Sequence, residues 1–325
     1  MNIIDVKELS RNYGKLAAVD KISFQVAEGE VFGFLGPNGA GKTTTISMLC
    51  TLLKPSGGQA VLCGHDVVRQ RNLVRRCIGL VFQDPTLDEY LTAEQNLLFH
   101  AYAYHLSREF RERRIDEVLS LVDLSDRRKS RVRTFSGGMK RRLEIARGLL
   151  HNPRVLFLDE PTLGLDPQTR RNIWDFILQL RRQEKLTIFL TTHYMDEAEN
   201  CDRISIIDHG HIVAINTPEK LKDSLGGDVV TLLAEDNQSA MNELKEKFAL
   251  SPEIRDGHLI FSVPHGELFL PKLTQGFQTK LISIGIHRPT LDDVFLKMTG
   301  RAIRDTEAGE KDQLKSMMSM RRRGM

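Results

Sequence analysis

The 325-residue sequence predicts an α/β fold whose core is a mostly parallel sheet. Continuous apolar runs are typical of strands that are buried on both faces. Such runs occupy residues 31–35, 78–82, 155–158, 186–191 and 203–207. Stretches with helical periodicity lie between them, one beginning at about Lys42 and another covering residues 173–180. Strands that alternate with helices form parallel sheets, since each helix carries the chain back to the start of the next strand.

The remaining segments predict three additions to this core. Residues 22–26 alternate between polar and apolar side chains, which is typical of a half-buried strand. The segment from about 84 to 151 is helical and densely charged, and it predicts an all-α insertion within a first domain of residues 1–220. Residues 221–300 have the pattern of a small α/β accessory domain, and residues 301–325 that of a flexible charged tail.

The composition is that of an ordinary globular protein, with 41% hydrophobic and 27% charged residues. The net charge of +3 is too small to indicate a nucleic-acid partner, and we expect none. Basic runs are interpreted as solvated helix faces or tail, and they lie at 111–114, 127–133, 140–142 and 321–323. The four cysteines lack zinc-ligand spacing and are expected to be free thiols. No apolar stretch approaches the ~18 residues that cross a bilayer.

The strongest motif is a glycine-rich loop between the first apolar run and the helix that follows it. It reads Gly36-Pro37-Asn38-Gly39-Ala40-Gly41-Lys42-Thr43, which fits the pattern G-x-x-x-x-G-K-[ST] in full. Glycines allow backbone N–H groups to surround phosphate oxygens, and the helix amino terminus adds partial positive charge. Lys42 is expected to contact the β- and γ-phosphates, Thr43 to ligate Mg²⁺, and the segment through Thr44 to bind the nucleotide.

A pair of carboxylates follows the apolar run at 155–158. Asp159 and Glu160 stand at the end of this predicted strand, where open α/β sheets place their ligands. Asp159 is expected to hold Mg²⁺, and Glu160 to orient and polarise the attacking water. Together with the glycine-rich loop, the pair indicates a P-loop nucleotidase, a class that also includes GTPases, kinases and helicases. The sequence contains no N-K-x-D segment, so guanine specificity has no support.

A third motif narrows the class. The segment Thr134-Phe135-Ser136-Gly137-Gly138-Met139-Lys140-Arg141-Arg142 stands at the start of a helix with one apolar face. Ser136 is a suitable N-cap, and Gly137 and Gly138 leave backbone N–H groups open. A helix start of this kind can bind an anion.

With these three motifs the chain resembles the ABC (ATP-binding cassette) ATPase family over roughly residues 3–220. The resemblance implies a cassette with an antiparallel β subdomain, a parallel-sheet core and an all-α subdomain. It also implies that Ser136, Gly137 and Gly138 belong to the signature motif, which contacts ATP bound by the opposite subunit. Met139 replaces the usual glutamine of that motif. This variant is similar to drug-resistance ATPases that partner ABC-2 type permeases, the daunorubicin-resistance type among them.

The resemblance assigns roles to four further residues. Tyr13 matches the aromatic side chain that stacks on adenine. Gln83 matches the glutamine that senses Mg²⁺ and links to the permease. Asp166 matches the D-loop, which crosses the dimer interface, and His193 matches the switch histidine near the γ-phosphate.

The same resemblance implies the wider setting of the chain. ATP and Mg²⁺ are the expected cofactors, and two copies are expected to close around ATP as a homodimer. A separate integral membrane permease is the expected second partner. The expected location is therefore cytoplasmic, on the inner face of the cell membrane.

The carboxyl-terminal segment gives a second, looser resemblance. Residues 288–300 resemble the end of the same drug-export subgroup, and they also have the pattern of an amphipathic helix with Thr290 as N-cap and Asp293 in a capping box. Three alternatives remain open: an importer ATPase, a soluble ABC protein of translation or DNA repair, and an accessory domain that binds a regulatory ligand. The soluble proteins carry two cassettes or a long coiled-coil insertion, and this chain shows neither.

Overall fold

The computed structural model describes residues 2–255 and 257–300 of the chain. These residues form two compact units, which divide between Asn216 and Thr217. The boundary predicted from the sequence lies slightly later, inside a helix that begins at Pro218. Proline is tolerated in the first turn of a helix, so Pro218 starts this element and does not separate the domains. The predicted flexible tail, residues 301–325, lies outside the described residues.

The first unit combines two sheets with helices. Its strands are β1 (Asn2–Tyr13), β2 (Leu16–Ala27), β3 (Val31–Leu35), β4 (Gly57–Leu62), β5 (His65–Asp66), β6 (Ile78–Val81), β7 (Val155–Asp159), β8 (Thr187–Thr192), β9 (Arg203–Asp208) and β10 (His211–Asn216). Its helices are α1 (Lys42–Leu49), α2 (Arg71–Cys77), α3 (Ala93–Ala103), α4 (Arg108–Leu121), α5 (Gly137–Leu149), α6 (Pro167–Glu184) and α7 (Met195–Ala198). Short 3₁₀ turns at Ser125–Arg127 and Val132–Thr134 connect α4 to α5.

The larger sheet has the order β10-β9-β3-β8-β7-β6, and every neighbouring pair from β9 to β6 is parallel. Leu35 pairs with Thr192, and Asp159 pairs with Thr191. The loops that follow β3, β7 and β8 therefore leave the sheet at the same edge. This arrangement confirms the predicted parallel core and places its ligand edge at the carboxyl ends of adjacent strands.

The smaller sheet is antiparallel, with the order β2-β1-β4-β5. The main core lies between the two sheets, where Phe24 of β2 packs against Phe32, Phe34 and Phe189 at centroid separations of 5.6–6.0 Å. Helices α3, α4 and α5 pack against one another and form the predicted all-α insertion. The antiparallel, parallel and helical parts together confirm the predicted fold class.

Helix α5 approaches strand β6 unusually closely. A Cβ atom on Gly79 would lie 2.3 Å from the backbone oxygen of Gly148. Atoms of real Cβ groups essentially never approach backbone this closely, so glycine is required at this position. The contact sets the distance between the helical insertion and the parallel sheet.

The second unit is a small α/β domain. Its elements are α8 (Pro218–Asp223), β11 (Asp228–Ala234), α9 (Asn237–Phe248), β12 (Glu253–Arg255), β13 (His258–Val263), α10 (Gly266–Gly276), β14 (Leu281–His287) and α11 (Leu291–Thr299). The strands form an antiparallel sheet in the order β12-β13-β11-β14, and α9 and α10 cover one face with apolar side chains. Thr290 and Asp293 form the predicted capping box at the start of α11.

Glu243 on α9 holds the loop before β14. It accepts hydrogen bonds from the backbone N–H groups of Gln278 and Thr279 at 2.7 and 3.0 Å, and from Lys247 at 2.7 Å. Burial raises the pKa of Glu243, but these hydrogen bonds outweigh burial and lower the pKa to about 2.

Candidate active site

The glycine-rich loop folds as its sequence predicts, between β3 and α1. Gly39 and Gly41 have φ angles of +76° and +105°, in the left-handed region that favours glycine. Pro37 and Ala40 are buried, whereas Asn38 is exposed. The backbone N–H of Gly36 donates to the carbonyl of Thr192 at 3.2 Å, which joins the loop to the end of β8.

Lys42 begins α1, and its side chain is only 4% exposed. Its ammonium group donates to the carbonyl oxygens of Gly36 and Pro37 at 2.8 and 3.1 Å. It also lies 3.1 Å from Oε1 of Glu160. The lysine therefore stands at the centre of the loop, with its charge balanced by the carboxylate predicted to act on water.

Glu160 is buried and lies between Lys42 and His193. Its second oxygen, Oε2, lies 3.2 Å from Nδ1 of His193. Burial raises the pKa of Glu160, but the contacts with His193 and Lys42 outweigh burial and lower it below the usual value. The residue has a φ of +45°, and its N–H donates to Thr191 Oγ1 at 3.0 Å. Left-handed backbone is costly for a residue with a long side chain, and such strain is common at functional sites.

Asp159 lies beside the end of the glycine-rich loop. Its Oδ1 accepts a hydrogen bond from Thr191 at 2.5 Å and lies 3.4 Å from the hydroxyl of Thr43. Burial raises the pKa of Asp159, although the hydrogen bonds from Thr191 and Thr43 oppose this effect. A carboxylate and a hydroxyl are thus brought together, and their role as Mg²⁺ ligands remains a prediction.

Gln83 and Tyr13 are both exposed side chains near this region. Gln83 follows β6, so it leaves the sheet at the same edge as Asp159 on the neighbouring strand. Tyr13 ends β1 and is 48% exposed, with the guanidinium of Arg11 4.8 Å from its ring centre. The adjoining strand β2 reaches the glycine-rich loop, since the carbonyl of Ala18 would lie 2.6 Å from a Cβ on Gly41. The stacking of Tyr13 on adenine and the contact of Gln83 with Mg²⁺ remain predictions.

The signature segment begins α5, on the helical insertion. Ser136 caps the helix by accepting a hydrogen bond from the N–H of Met139 at 3.3 Å. A Cβ on Gly138 would lie 2.8 Å from Thr169, and one on Gly137 would lie 3.1 Å from Leu165. Among the described residues, no hydrogen bond joins Ser136 to the loop around Lys42. The signature segment thus packs against the start of α6 and is separate from the phosphate loop of its own chain.

Asp166 has a local structural role in addition to its predicted one. Its carboxylate caps α6 by accepting from the N–H of Thr169 at 3.0 Å. The hydrogen bond from Thr169 lowers the pKa of Asp166. The preceding residues, including Thr162 and Leu165, form a turn that connects Glu160 to this helix.

Two basic runs, 111–114 and 140–142, were interpreted as solvated, and this interpretation is wrong for one arginine in each run. Arg141 and Arg114 belong to runs that were predicted to be solvated, yet both are buried. Arg141 donates to the carbonyl oxygens of Phe82, Asp159, Glu160 and Pro161, and it pairs with Glu144 at 2.9 Å. A guanidinium has five donors, so it can satisfy several carbonyls where strand ends meet.

Arg141 and Glu144 are therefore site residues that the motifs did not identify. Glu144 accepts from the N–H of Thr86 at 2.8 Å, which fixes the loop that follows Gln83. The only signal in the sequence was an Arg–Glu pair at i,i+3 within a helix that has a strong apolar face. Such pairs are usually exposed, so the pattern alone did not indicate burial.

Neither a membrane-spanning helix nor a cluster of metal-binding side chains is present in the described residues. Residues 2–255 and 257–300 contain no helix of the length and apolar character that a bilayer crossing requires. The same residues contain no cluster of three or more His, Cys, Asp or Glu side chains arranged to hold a metal ion. Cys50, Cys63, Cys77 and Cys201 are free thiols, as predicted.

A parallel sheet whose adjacent strand ends carry a phosphate loop, a carboxylate pair and a histidine defines a P-loop nucleoside triphosphatase. The sequence profile of the ABC transporter family matches residues 19–163. The chain is 40% identical to the daunorubicin resistance ATP-binding protein DrrA3 of Streptomyces coeruleorubidus, over 94% of this chain and 98% of that protein. The chain belongs to the ABC transporter family, as one of its ATP-hydrolysing, ATP-binding subunits.

Other relatives are also ATP-binding proteins named for resistance or export, and a similar solved structure is part of an ABC transporter complex. The chain is 37% identical to the linearmycin resistance ATP-binding protein LnrL of Bacillus subtilis, over 93% of this chain and 100% of that protein. It is also 37% identical to the Nod factor export ATP-binding protein I of Cupriavidus pinatubonensis, over 93% of this chain and 92% of that protein. The structure of cbiO1 from Clostridium perfringens matches 76% of this chain and 96% of its own, with a TM-score of 0.64 and 27% identity.

Proposed function

We propose that this chain powers an ABC-2 type export transporter, whose cargo is a drug, an antibiotic or a lipid-like molecule. The observation that carries the catalytic part is the Glu160 carboxylate, which lies between Lys42 and His193 at 3.1 and 3.2 Å. The export part rests on similarity along almost the whole chain to proteins named for daunorubicin resistance, linearmycin resistance and Nod factor export.

The geometry supports a division of roles in ATP hydrolysis. Phosphoryl transfer to water depends mainly on positioning and on neutralising charge. The loop amides and Lys42 supply positive charge to the phosphates, and phosphate oxygens compete with Glu160 for the ammonium group. Because its pKa is lowered, Glu160 is ionised at neutral pH and can accept hydrogen bonds from water. His193 fixes the other oxygen of the carboxylate.

The residues present also fit Mg²⁺. The hydroxyl of Thr43 and the carboxylate of Asp159 lie 3.4 Å apart, and both are oxygen ligands of the kind that Mg²⁺ prefers. Few protein ligands are needed, since Mg²⁺ in such sites is usually held by one or two side chains together with phosphates and water. Gln83 is proposed as a further ligand from the same edge of the sheet. The chemistry that Mg²⁺ supplies when bound is neutralisation of charge on the β- and γ-oxygens.

We further propose that two copies close around ATP. Ser136, Gly137 and Gly138 expose a helix start suited to phosphate oxygens, but this start packs on Leu165 and Thr169 of its own chain. A phosphate bound at Lys42 would therefore meet the signature segment of a second copy. The dimeric structure of MJ0796, a bacterial ABC transporter cassette, supports this proposal, with 28% identity and a TM-score of 0.59 over 66% of this chain.

The substitution E160Q tests the catalytic and dimer proposals together. Glutamine keeps the size of the side chain and removes the negative charge, so ATP binding persists while general-base catalysis is lost. We expect kcat to fall by about 10²–10⁴-fold and ATP to shift the variant from monomer to dimer in light scattering. The variant K42A is the matched control, because it should lose nucleotide binding and stay monomeric. An E160Q protein that remains monomeric with saturating ATP and Mg²⁺ would contradict the dimer proposal.

A membrane permease is the proposed partner, and it places the chain on the cytoplasmic face of the membrane. The helical insertion exposes three aromatic side chains: Tyr90 at 76%, Phe99 at 73% and Tyr102 at 56%. A cavity of about 250 Å³ is lined by residues of the insertion and of the sheet, including Tyr104 and Phe82. We propose these exposed aromatic side chains as the contact with the permease.

Co-purification tests this partner. The double variant F99A/Y102A should recover less of a six-helix membrane protein from detergent-solubilised membranes than the wild type does. L268A is the control, because Leu268 is 69% exposed but lies on the second unit. Transport direction is tested with inverted vesicles, where export requires ATP-dependent accumulation of daunorubicin that K42A abolishes. Equal accumulation with K42A would refute the proposed role in export.

A further inference from the structure

Glu197 is a buried carboxylate that no motif accounts for. It lies on α7, four residues after His193, and is 2% exposed. One oxygen accepts a hydrogen bond from the hydroxyl of Thr162, and the other accepts from the hydroxyl of Thr192 at 2.6 Å. A buried carboxylate is costly unless its oxygens are satisfied, so this arrangement is specific and not incidental.

The two threonines flank the catalytic pair. Thr192 directly precedes His193, and Thr162 follows Glu160 after one residue. The segments that carry Glu160 and His193 are thus tied to the same carboxylate from opposite sides. The contact between Glu160 and His193, at 3.2 Å, lies between these two attachments.

Thr192 also fixes the turn that holds His193. Its hydroxyl accepts a hydrogen bond from the N–H of Tyr194 at 2.9 Å while it donates to Glu197. Since the hydroxyl has a single proton, an acceptor at position 197 determines its orientation.

Arg170 completes the surroundings of this carboxylate. Its guanidinium lies 3.7 Å from the ring centre of Tyr194, and its Nε lies 3.9 Å from Glu197. Arg170 belongs to α6, the helix that Asp166 caps, so the cluster reaches the segment proposed to meet the second subunit.

We propose that Glu197 is a positioning residue that sets the geometry of Glu160 and His193 for hydrolysis. The inference rests on the proposed catalytic roles of those two residues. Among the described residues, Glu197 has no hydrogen bond to the phosphate loop, and its link to that loop runs through Thr192, whose backbone carbonyl accepts from Gly36. Its side chain therefore acts on the orientation of the carboxylate and imidazole. It also connects the segment after Glu160 with the segment around His193, through Thr162 and Thr192.

The substitution E197Q tests the proposal with little change in shape. Glutamine has one acceptor oxygen, so one threonine hydroxyl loses its acceptor and the turn at His193 loses its fixed geometry. Misplacement of catalytic groups by about 1 Å lowers rates by roughly 10²-fold, so we expect kcat to fall by about 10- to 100-fold. The KM for ATP should change by less than about threefold, because the phosphate loop is joined to Thr192 through a backbone carbonyl, which the substitution leaves in place.

E30Q is the matched control for loss of a buried carboxylate. Glu30 is 7% exposed and pairs with Arg203 at 2.5 Å, but it precedes β3 at the opposite edge of the sheet. We expect E30Q to keep the wild-type kcat even if its thermal stability falls. A loss of kcat in E30Q equal to that in E197Q would show a general effect of destabilisation and overturn the proposal.

A double-mutant cycle separates positioning from a merely structural role. If Glu197 acts through His193, E197Q should lower kcat by less than about threefold in an H193A background, against the larger loss in the wild type. The same fold loss in both backgrounds would overturn the proposal. If E197Q does not fold, the variants T192V and T192S test the same hydrogen bond. T192V removes the hydroxyl and should lose ATPase activity. T192S keeps the hydroxyl and should retain it.

The outcomes distinguish this inference from the proposed function. An active wild type that loses activity in E160Q and H193A but not in E197Q would overturn the positioning role alone. A wild type that binds ATP without hydrolysing it would overturn the proposed function itself, and the inference with it.

Discussion

The close approach of helix α5 to strand β6 predicts the effect of the substitution G79A. The added Cβ would lie 2.3 Å from the oxygen of Gly148, whereas ordinary contacts begin at 3.4 Å. Helix α5 must therefore move by about 1 Å, because the obstacle is backbone and cannot rotate away. Overpacking of this kind typically costs about 1–3 kcal/mol and occasionally more, and we expect the upper end of that range.

The displacement should also affect hydrolysis at a distance. Helix α5 carries Arg141, whose hydrogen bonds to the carbonyls of Asp159 and Glu160 are already 3.2 and 3.1 Å long. A movement of about 1 Å would break them and release the backbone of Glu160, with a rate loss of roughly 10²-fold. Although Gly79 lies outside the site, G79A should therefore lower both stability and kcat.

Thermal unfolding and steady-state ATPase assays measure the two effects. The control is G285A, which adds a Cβ to a strand glycine with nothing within 4 Å. We expect G285A to differ little from the wild type in melting temperature and in kcat. A G79A protein with wild-type stability and activity would refute the argument that this contact fixes the position of α5.

Two further predictions concern the second unit. The substitution T290A removes the capping box of α11, which should cost about 1 kcal/mol and accelerate amide hydrogen exchange in its first turn, while T290S should retain protection. The pKa of Glu243 is lowered from 4.5 to about 2 in the folded chain, so its contribution to stability is present above pH 4.5 and is lost as the pH falls toward 2. E243Q should therefore be less stable than the wild type at neutral pH, with a difference that narrows in acid; a constant difference in urea midpoint across this range would contradict the assigned cause.

The parts of the site that could be predicted consist of residues that are adjacent in the sequence. The glycine-rich loop, the pair Asp159 and Glu160, and the cap at Ser136 each depend on local backbone geometry, which neighbouring residues determine. The parallel arrangement of the strands followed from the alternation of apolar runs and helices. Their order in the sheet was not predicted, and it is this order that places His193 beside Glu160, since the strands before them are adjacent.

The parts that could not be predicted depend on partners far away in the sequence. Arg141 bonds to carbonyls that become available only where β6 and β7 end side by side, and a basic residue on a helix usually faces solvent. Glu197 is bound by Thr162, which is 35 positions away. Acidic residues near a helix start are common, so nothing local distinguished this one from a surface carboxylate.

The hydrogen bonds of Arg141 also have a consequence for the order of folding. They join a helix of the insertion to carbonyls at the ends of two strands that lie on either side of the insertion in the sequence. A buried guanidinium without these carbonyls would be strongly destabilising, so α5 cannot dock stably before both strand ends are in place. The insertion and the sheet should therefore fold as one cooperative unit, and residues 84–151 alone should not form the native helical subdomain.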